Sequence, residues 1–245
     1  ARADAGNRDV HYTEYPAGCM EKDWGVHPHA SWAAAYRDGR ALAWLFEKSR
    51  RGRYEAELIC SGVFYIEDFN DDSMYLVEGR EKALLIDTGL GSGDPLTALP
   101  VELAVTHAHL DHMRHSYRFE RFYMSKKDLP LLPRVQDSFP ENTSAPEQVV
   151  DIREGDVIDL GGVEIEVFEL GGHTPGSVVF IDRTHKCLFT GDALGLWMQV
   201  PMALPVSAYR ENLLRLREKL AQPGYDELAF LGGHRRQEGG VHPGE

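Results

Sequence analysis

The chain has 245 residues, 42% hydrophobic and 27% charged, an ordinary globular composition that allows one large domain or a domain with an extension. Its formal net charge of −13, without any run of Lys or Arg, argues against a nucleic-acid groove or an anionic membrane surface, since both need clustered positive charge. No stretch approaches the roughly 20 apolar residues that cross a bilayer, and the sparse cysteines Cys19, Cys60 and Cys187 predict free thiols in a reducing, cytoplasmic setting.

Residues 1–56 differ in character from the rest. His11 to Pro28 is rich in aromatics, Gly and Pro without a period and reads as an irregular arm. From Ser31 to Lys48 the apolar residues Trp32, Ala35, Tyr36, Leu42, Leu45 and Phe46 recur near helical spacing, with Gly39 interrupting, which predicts a broken amphipathic helix. That apolar face, with Trp24, Trp32 and Trp44, is expected to pack on the core or on a partner subunit, so a homodimer through the arm is one expectation.

Residues 57–245 read as a strand-rich catalytic domain. Ser61–Glu67 and Ser73–Glu78 are strands split by the turn-forming Asp68-Phe-Asn-Asp-Asp72, followed by strands at Lys82–Asp87, Val101–Thr106 and Phe122–Ser125. Leu129 to Gln148, polar and punctuated by prolines, reads as a surface loop or lid. Asp156–Leu160 and Val163–Leu170 form a hairpin through Gly161-Gly162, and the second strand alternates Val163, Ile165 and Val167 with Glu164 and Glu166, so one face is wet. Ser177–Asp182 and Lys186–Thr190 form another hairpin. A helix is expected over Ser207–Gln222, with Ser207 as N-cap and Pro223-Gly224 as the stop, before a last strand at Leu228–Leu231.

The chemistry concentrates at strand ends. Thr106-His-Ala-His-Leu-Asp-His112 places His107, His109, Asp111 and His112 directly after an apolar strand. Imidazole and carboxylate are the donors that Zn²⁺ takes in the absence of thiolate. Residues two apart on an extended segment point the same way, so His107 and His109 can share one ion while Asp111 and His112, past the turn, face a second. Further donors follow other strands: His173 in Gly171-Gly-His-Thr-Pro-Gly176, Asp192 in Thr190-Gly-Asp192, and His234 in Gly232-Gly-His234. Glycines beside each let the backbone turn sharply and approach a bound ion. His11, His27, His29, His185 and His242 read as structural, and His115 falls outside the pattern.

This set resembles the metallo-β-lactamase superfamily, whose pattern is HxHxDH followed by a distant His, Asp and His; all seven positions match, over residues 57–236. Leu85-Ile-Asp-Thr-Gly89 is similar to that family's strand-end Asp, which steadies the site from behind. The resemblance implies an α+β fold, an αββα sandwich of two mixed β-sheets flanked by helices, with the site at the sheets' edge. It assigns His107, His109 and His173 to a first metal and Asp111, His112 and His234 to a second, with Asp192 bridging. Two Zn²⁺ are the expected cofactors, with Mn²⁺ or Fe as alternatives. Such a pair acidifies a shared water and polarises the group under attack, so a bridging hydroxide serves as nucleophile and Asp111 is the expected catalytic residue that orients it.

The resemblance is strongest to the glyoxalase II and lactonase-like branch, although glyoxalase II itself carries a helical domain after the last metal His, where eleven residues follow here. True β-lactamases of the commonest subclass use Cys at the Asp192 position; Cys187 lies five residues earlier, inside a strand, and reads as core. Gly195 to Pro205, apolar and broken by prolines, is a candidate wall of the substrate pocket or plain packing. The expected activity is hydrolysis of a small-molecule ester, thioester, lactone or amide. The alternatives are a mononuclear iron oxidoreductase of the persulfide dioxygenase type, using His107, His173 and Asp192, and a phosphodiesterase.

Overall fold

The computed structural model describes residues 55–68, 70–91, 97–138, 140, 143–194 and 203–234. The amphipathic segment expected at 31–48, the three tryptophans of the arm and most of the 195–205 segment lie outside the described residues.

Two sheets carry the architecture. The first contains β1 (Glu55–Cys60), β2 (Val63–Glu67), β3 (Ser73–Glu78), β4 (Ala83–Ile86), β5 (Val101–Ala104), β6 (Phe122–Met124) and β7 (Val149–Asp151), hydrogen-bonded in that order. Its pairing is antiparallel through β4 and parallel from β4 to β7. The second contains β8 (Val157–Asp159), β9 (Glu164–Glu169), β10 (Val178–Asp182), β11 (Cys187–Gly191) and β12 (Ala229–Gly232), in the order β12-β11-β10-β9-β8. Only β11 and β12 run parallel in it. Both sheets are therefore mixed, as expected.

The alternation of side chains along each strand explains how the layers stack. Val63, Tyr75, Val77, Leu84, Ile86 and Ala104 from the first sheet meet Ile158, Ile165, Val167, Val178, Phe180, Phe189 and Leu231 from the second in one buried cluster between them. Strands β10 and β11 are buried throughout because they are covered on both faces. On their outer face Val179, Ile181 and Leu188 pack under Tyr209 and Leu216 of the helix α3 (Val206–Leu220), joined by Leu213 and Leu220 at helical spacing. The outer face of the first sheet buries Leu103, Val105, Phe122 and Met124 against Met113 and Leu132 of two shorter helices, α1 (Leu110–Met113) and α2 (Leu132–Ser138). Helices thus flank both sheets, which gives the αββα sandwich.

Local details differ from expectation. The sheet gains two edge strands, β1 and β7, that the pattern did not reveal. The segment 129–148 is not a continuous loop: it holds the end of a 3-10 turn (Lys126–Leu131), the helix α2, and a second 3-10 turn at Pro146–Gln148. Pro133 lies in the first turn of α2, where its missing N–H costs nothing. The long helix starts at Val206 after Pro205, in extended conformation, rather than on a capping Ser207, and no side chain caps it. Arg217 and Lys219 close its last turn, favourably placed for the helix dipole.

Candidate metal centre

All seven donors read from the sequence converge where the two sheets meet. His107 and His109 leave the end of β5, and Asp111 and His112 sit on α1. His173 follows β9, Asp192 follows β11, and His234 follows β12. Their donor atoms form three sets that each fall within 4.8 Å and could hold a metal ion: His107, His109 and His173; His107, His112 and Asp192; and Asp111, His112 and His234. The first set is tight. His109 Nδ1 lies 3.0 Å from His107 Nε2 and 2.9 Å from His173 Nε2. Tetrahedral nitrogen donors about 2.0–2.1 Å from one Zn²⁺ are separated by about 3.3 Å, so three imidazoles at this spacing suit one small cation. Asp192 reaches both sides, with its carboxylate 3.6 Å from His173 Nε2, 3.6 Å from His112 Nε2 and 3.4 Å from His234 Nε2.

The glycine at the centre explains how so many groups approach. A Cβ on Gly233 would stand 2.5 Å from Asp192 Oδ1 and 2.8 Å from His112 Cε1, so only a bare backbone fits between these two donors. Gly191, at φ +49, plays the matching part beside Thr106.

Electrostatics also favour a cation. His112 Nε2 is sealed from solvent without a hydrogen-bond partner, and faces Asp192 Oδ1 at 3.6 Å and Asp111 Oδ2 at 3.8 Å. Burial would lower the His112 pKa, but the Asp111, Asp192 and Asp87 carboxylates outweigh it and hold the ring well above the usual imidazole range. His234 is likewise held up at about 10, with burial opposed by Asp192 and Asp72. Burial would raise Asp192, yet His112 and His234 pull it well below the usual carboxylate range. In contrast, burial keeps His107 and His109 neutral, and it lowers His173 to about 4. The centre therefore offers three lone-pair imidazoles on one side and an anionic pocket that attracts protons on the other. Such a set of donors is suited to metal binding.

Three buried carboxylates support the donors. Asp87, expected from its strand-end position, lies 2.8 Å from His112 Nδ1 and accepts from the Thr106 N–H and hydroxyl, each at 2.7 Å. Asp128, fully buried, was not legible in the sequence. It accepts from Ala108 N at 3.0 Å, from the Thr174 hydroxyl at 2.7 Å and from Gly176 N at 2.6 Å, and so ties the His107–His109 segment to the His173 loop. Asp72, also unforeseen, faces His234 Nδ1 at 3.1 Å, and burial raises its carboxyl to about 6 against the pull of that ring. No local sequence signal marks either residue, since both partners arrive from distant strands.

The remaining candidates fall elsewhere. His185 pairs with Asp182 at 2.5 Å, in a structural role. His115 points Nε2 at the Leu90 carbonyl, 3.3 Å away. Cys187 is buried in β11, and burial with the nearby Cys60 and Asp182 pushes its thiol up to about 12. His11, His27, His29 and His242 lie outside the described residues.

The family profile of the metallo-beta-lactamase superfamily matches residues 70–234, a span that begins at the turn before β3 and ends on His234. The chain belongs to the metallo-β-lactamase superfamily. Human acyl-coenzyme A thioesterase MBLAC2 is 27% identical over 198 residues, spanning 63% of this chain and 68% of that protein. Hydroxyacylglutathione hydrolase GloC of Haemophilus influenzae is 28% identical over 191 residues, covering 70% of this chain and 89% of its own. Among solved structures, a metallo-beta-lactamase from Pontibacter korlensis superposes with a TM-score of 0.58 at 21% identity, over 74% of this chain and 91% of that one. TTHA1623 in a di-iron-bound form gives 0.50 at 29% identity, over 66% and 87%. This metallo-β-lactamase-fold protein is a metal-dependent hydrolase. No helix among its described residues is long and apolar enough to cross a membrane.

Proposed function

We propose that this protein hydrolyses a small-molecule thioester at a dinuclear zinc centre held by His107, His109 and His173 on one side, Asp111, His112 and His234 on the other, and Asp192 between. The observation that carries the reading is the convergence of three donor sets linked through His107 and His112, with Asp192 in the set between them, more donors than one ion needs. Thioester is favoured within the wider class of esters, lactones and amides because an acyl-coenzyme A thioesterase and a hydroxyacylglutathione hydrolase both stand among the relatives, and acyl-glutathione is also a thioester. The chain covers 89% of GloC.

Two divalent ions held there would supply the Lewis acidity that acidifies water and polarises the carbonyl. The chain's own residues do the rest. Asp111 has a side chain 30% exposed, the most open of the carboxylates in the centre, with Oδ2 3.5 Å from His234 Nε2. It is therefore placed to orient an incoming water and hold its proton. Asp87 and Asp128 fix the rings and loops around it, so the geometry is set before substrate arrives. Cys187, buried and held protonated, is not a nucleophile in this scheme. The three widely spaced cysteines of the sequence, an odd count without CxxC spacing, support a cytoplasmic setting.

The test is metal analysis of protein purified without added metal, beside a panel of thioester, ester, lactone and β-lactam substrates. Close to two equivalents of zinc with thioester turnover is the expected result. A single iron without zinc would sink the dinuclear reading, whereas two irons, as in the TTHA1623 structure, would change only the metal.

A further inference from the structure

We infer that Asp72 is a positioning residue that presents His234 to the second of the two metal positions. The inference rests on the dinuclear reading above. Asp72 is 1% exposed and lies on the turn that leads into β3, in the first sheet, while His234 ends β12 in the second. The two backbones form an isolated antiparallel bridge, and Ser73 N donates to the Gly233 carbonyl at 2.8 Å. The Tyr75 hydroxyl donates to the Gly232 carbonyl at 2.7 Å. The start of β3 therefore grips the end of β12 across the sandwich.

Within that grip, Asp72 Oδ1 lies 3.1 Å from His234 Nδ1. A ring N–H donated to a carboxylate fixes the tautomer, leaves the Nε2 lone pair free and makes it more basic. Nε2 then points into the centre, 3.4 Å from Asp192 and 3.5 Å from Asp111. Asp72 is itself held. The Asn70 side-chain amide donates to Oδ1 at 3.0 Å, and Asp68 accepts from the backbone N–H groups of Asn70 and Asp72 at 2.8 and 3.2 Å. The other oxygen of Asp68 takes the N–H groups of Leu90 and Gly91, which anchors the turn to the segment that follows Asp87. Asp72 Oδ2 is buried without a hydrogen-bond partner, so no local bond there disperses its charge.

The support is one-sided. Both histidines of the second position, His112 and His234, are backed by a carboxylate at Nδ1. On the first side, among the described residues, His107 Nδ1 meets the Thr106 hydroxyl, at 3.1 Å, and no carboxylate. Removing Asp72 should therefore weaken one metal equivalent and spare the other.

The experiment is a competitive chelator titration of the full chain with Zn²⁺, paired with the visible spectrum of the Co²⁺-substituted protein, for wild type, Asp72→Ala and Asp72→Asn. The second equivalent should bind about 10–100-fold more weakly in Asp72→Ala, and about tenfold more weakly in Asp72→Asn, with the first unchanged. Asp72→Asn keeps the shape of the turn and answers the question even if the alanine variant folds poorly. Unweakened binding of the second equivalent in Asp72→Asn overturns the inference, as does equal loss of both equivalents, which marks a merely structural role. A wild type that binds only one equivalent overturns the dinuclear reading instead.

Discussion

Gly233 is the position where an added side chain would press directly on two of the metal donors. A Cβ there would stand 2.5 Å from Asp192 Oδ1, 2.8 Å from His112 Cε1 and 2.9 Å from the Gly191 carbonyl carbon. Comfortable contacts between such atoms are about 3.5 Å, so Gly233→Ala forces Asp192 back by about 1 Å or parts the two backbones by a similar amount. The backbone is pinned: Gly233 N donates to the Gly191 carbonyl at 2.9 Å, and its own carbonyl accepts from Ser73 N. The side chains must yield. A misplacement of about 1 Å in a catalytic constellation costs about 10²-fold in rate, and overpacking costs about 1–3 kcal/mol. The expected result is a fall of about 100-fold in kcat/KM on a thioester, about 2 kcal/mol less stability in urea, and less metal retained after dialysis. Gly155→Ala is the control. Gly155 has φ +88 with open space where a Cβ would go, so alanine should cost about 1–2 kcal/mol through strain alone and leave activity intact. A Gly233→Ala protein with wild-type kcat/KM and metal content would refute the steric reasoning.

Other expectations concern the surrounding carboxylates and the metal. Asp111→Asn should weaken the second metal equivalent, read by elemental analysis, and, with Zn²⁺ added to fill both positions, should still lose about 10²-fold or more in kcat, the scale of one well-placed electrostatic group. Asp128→Ala leaves Ala108 N, the Thr174 hydroxyl and Gly176 N without their acceptor, at about 1–3 kcal/mol each, so urea unfolding should show a loss of at least about 3 kcal/mol. Chelation should lower Tm measurably, since an ion present at about 100 times its Kd contributes about 2.7 kcal/mol, and Zn²⁺ added back should restore it.

The donors were legible in the sequence because four fall within six residues directly after a strand, and each of the other three follows a strand with a glycine beside it. Asp87 was legible through the resemblance of Leu85-Ile-Asp-Thr-Gly89 to the family's strand-end Asp. Asp72 and Asp128 were not: one sits in an Asp-rich turn and the other follows two lysines, contexts that read as solvated surface. Their burial arises only when β12 and the His173 loop fold against them. Among the strands, the central ones announced themselves through continuous apolar runs such as Val178–Asp182. The edges β1 and β7 did not, since Glu55 and Glu57 dilute the first and β7 is only three residues long. Prolines concealed α2, because a proline in a first turn looks in sequence like one that forbids a helix.

The parallel pairing of β12 with β11 has a bearing on the order in which the centre is assembled during translation. His107, His109 and His173 all precede β10, so an emerging chain can bring this trio together while its later segments are still being made. The second position must wait for α3 to cross the outer face and for β12 to dock beside β11, since His234 is carried at that strand's end. A chain that ends before residue 229 lacks His234 and with it one of the three donor sets. Docking of β12 is thus the step that completes the donor cluster.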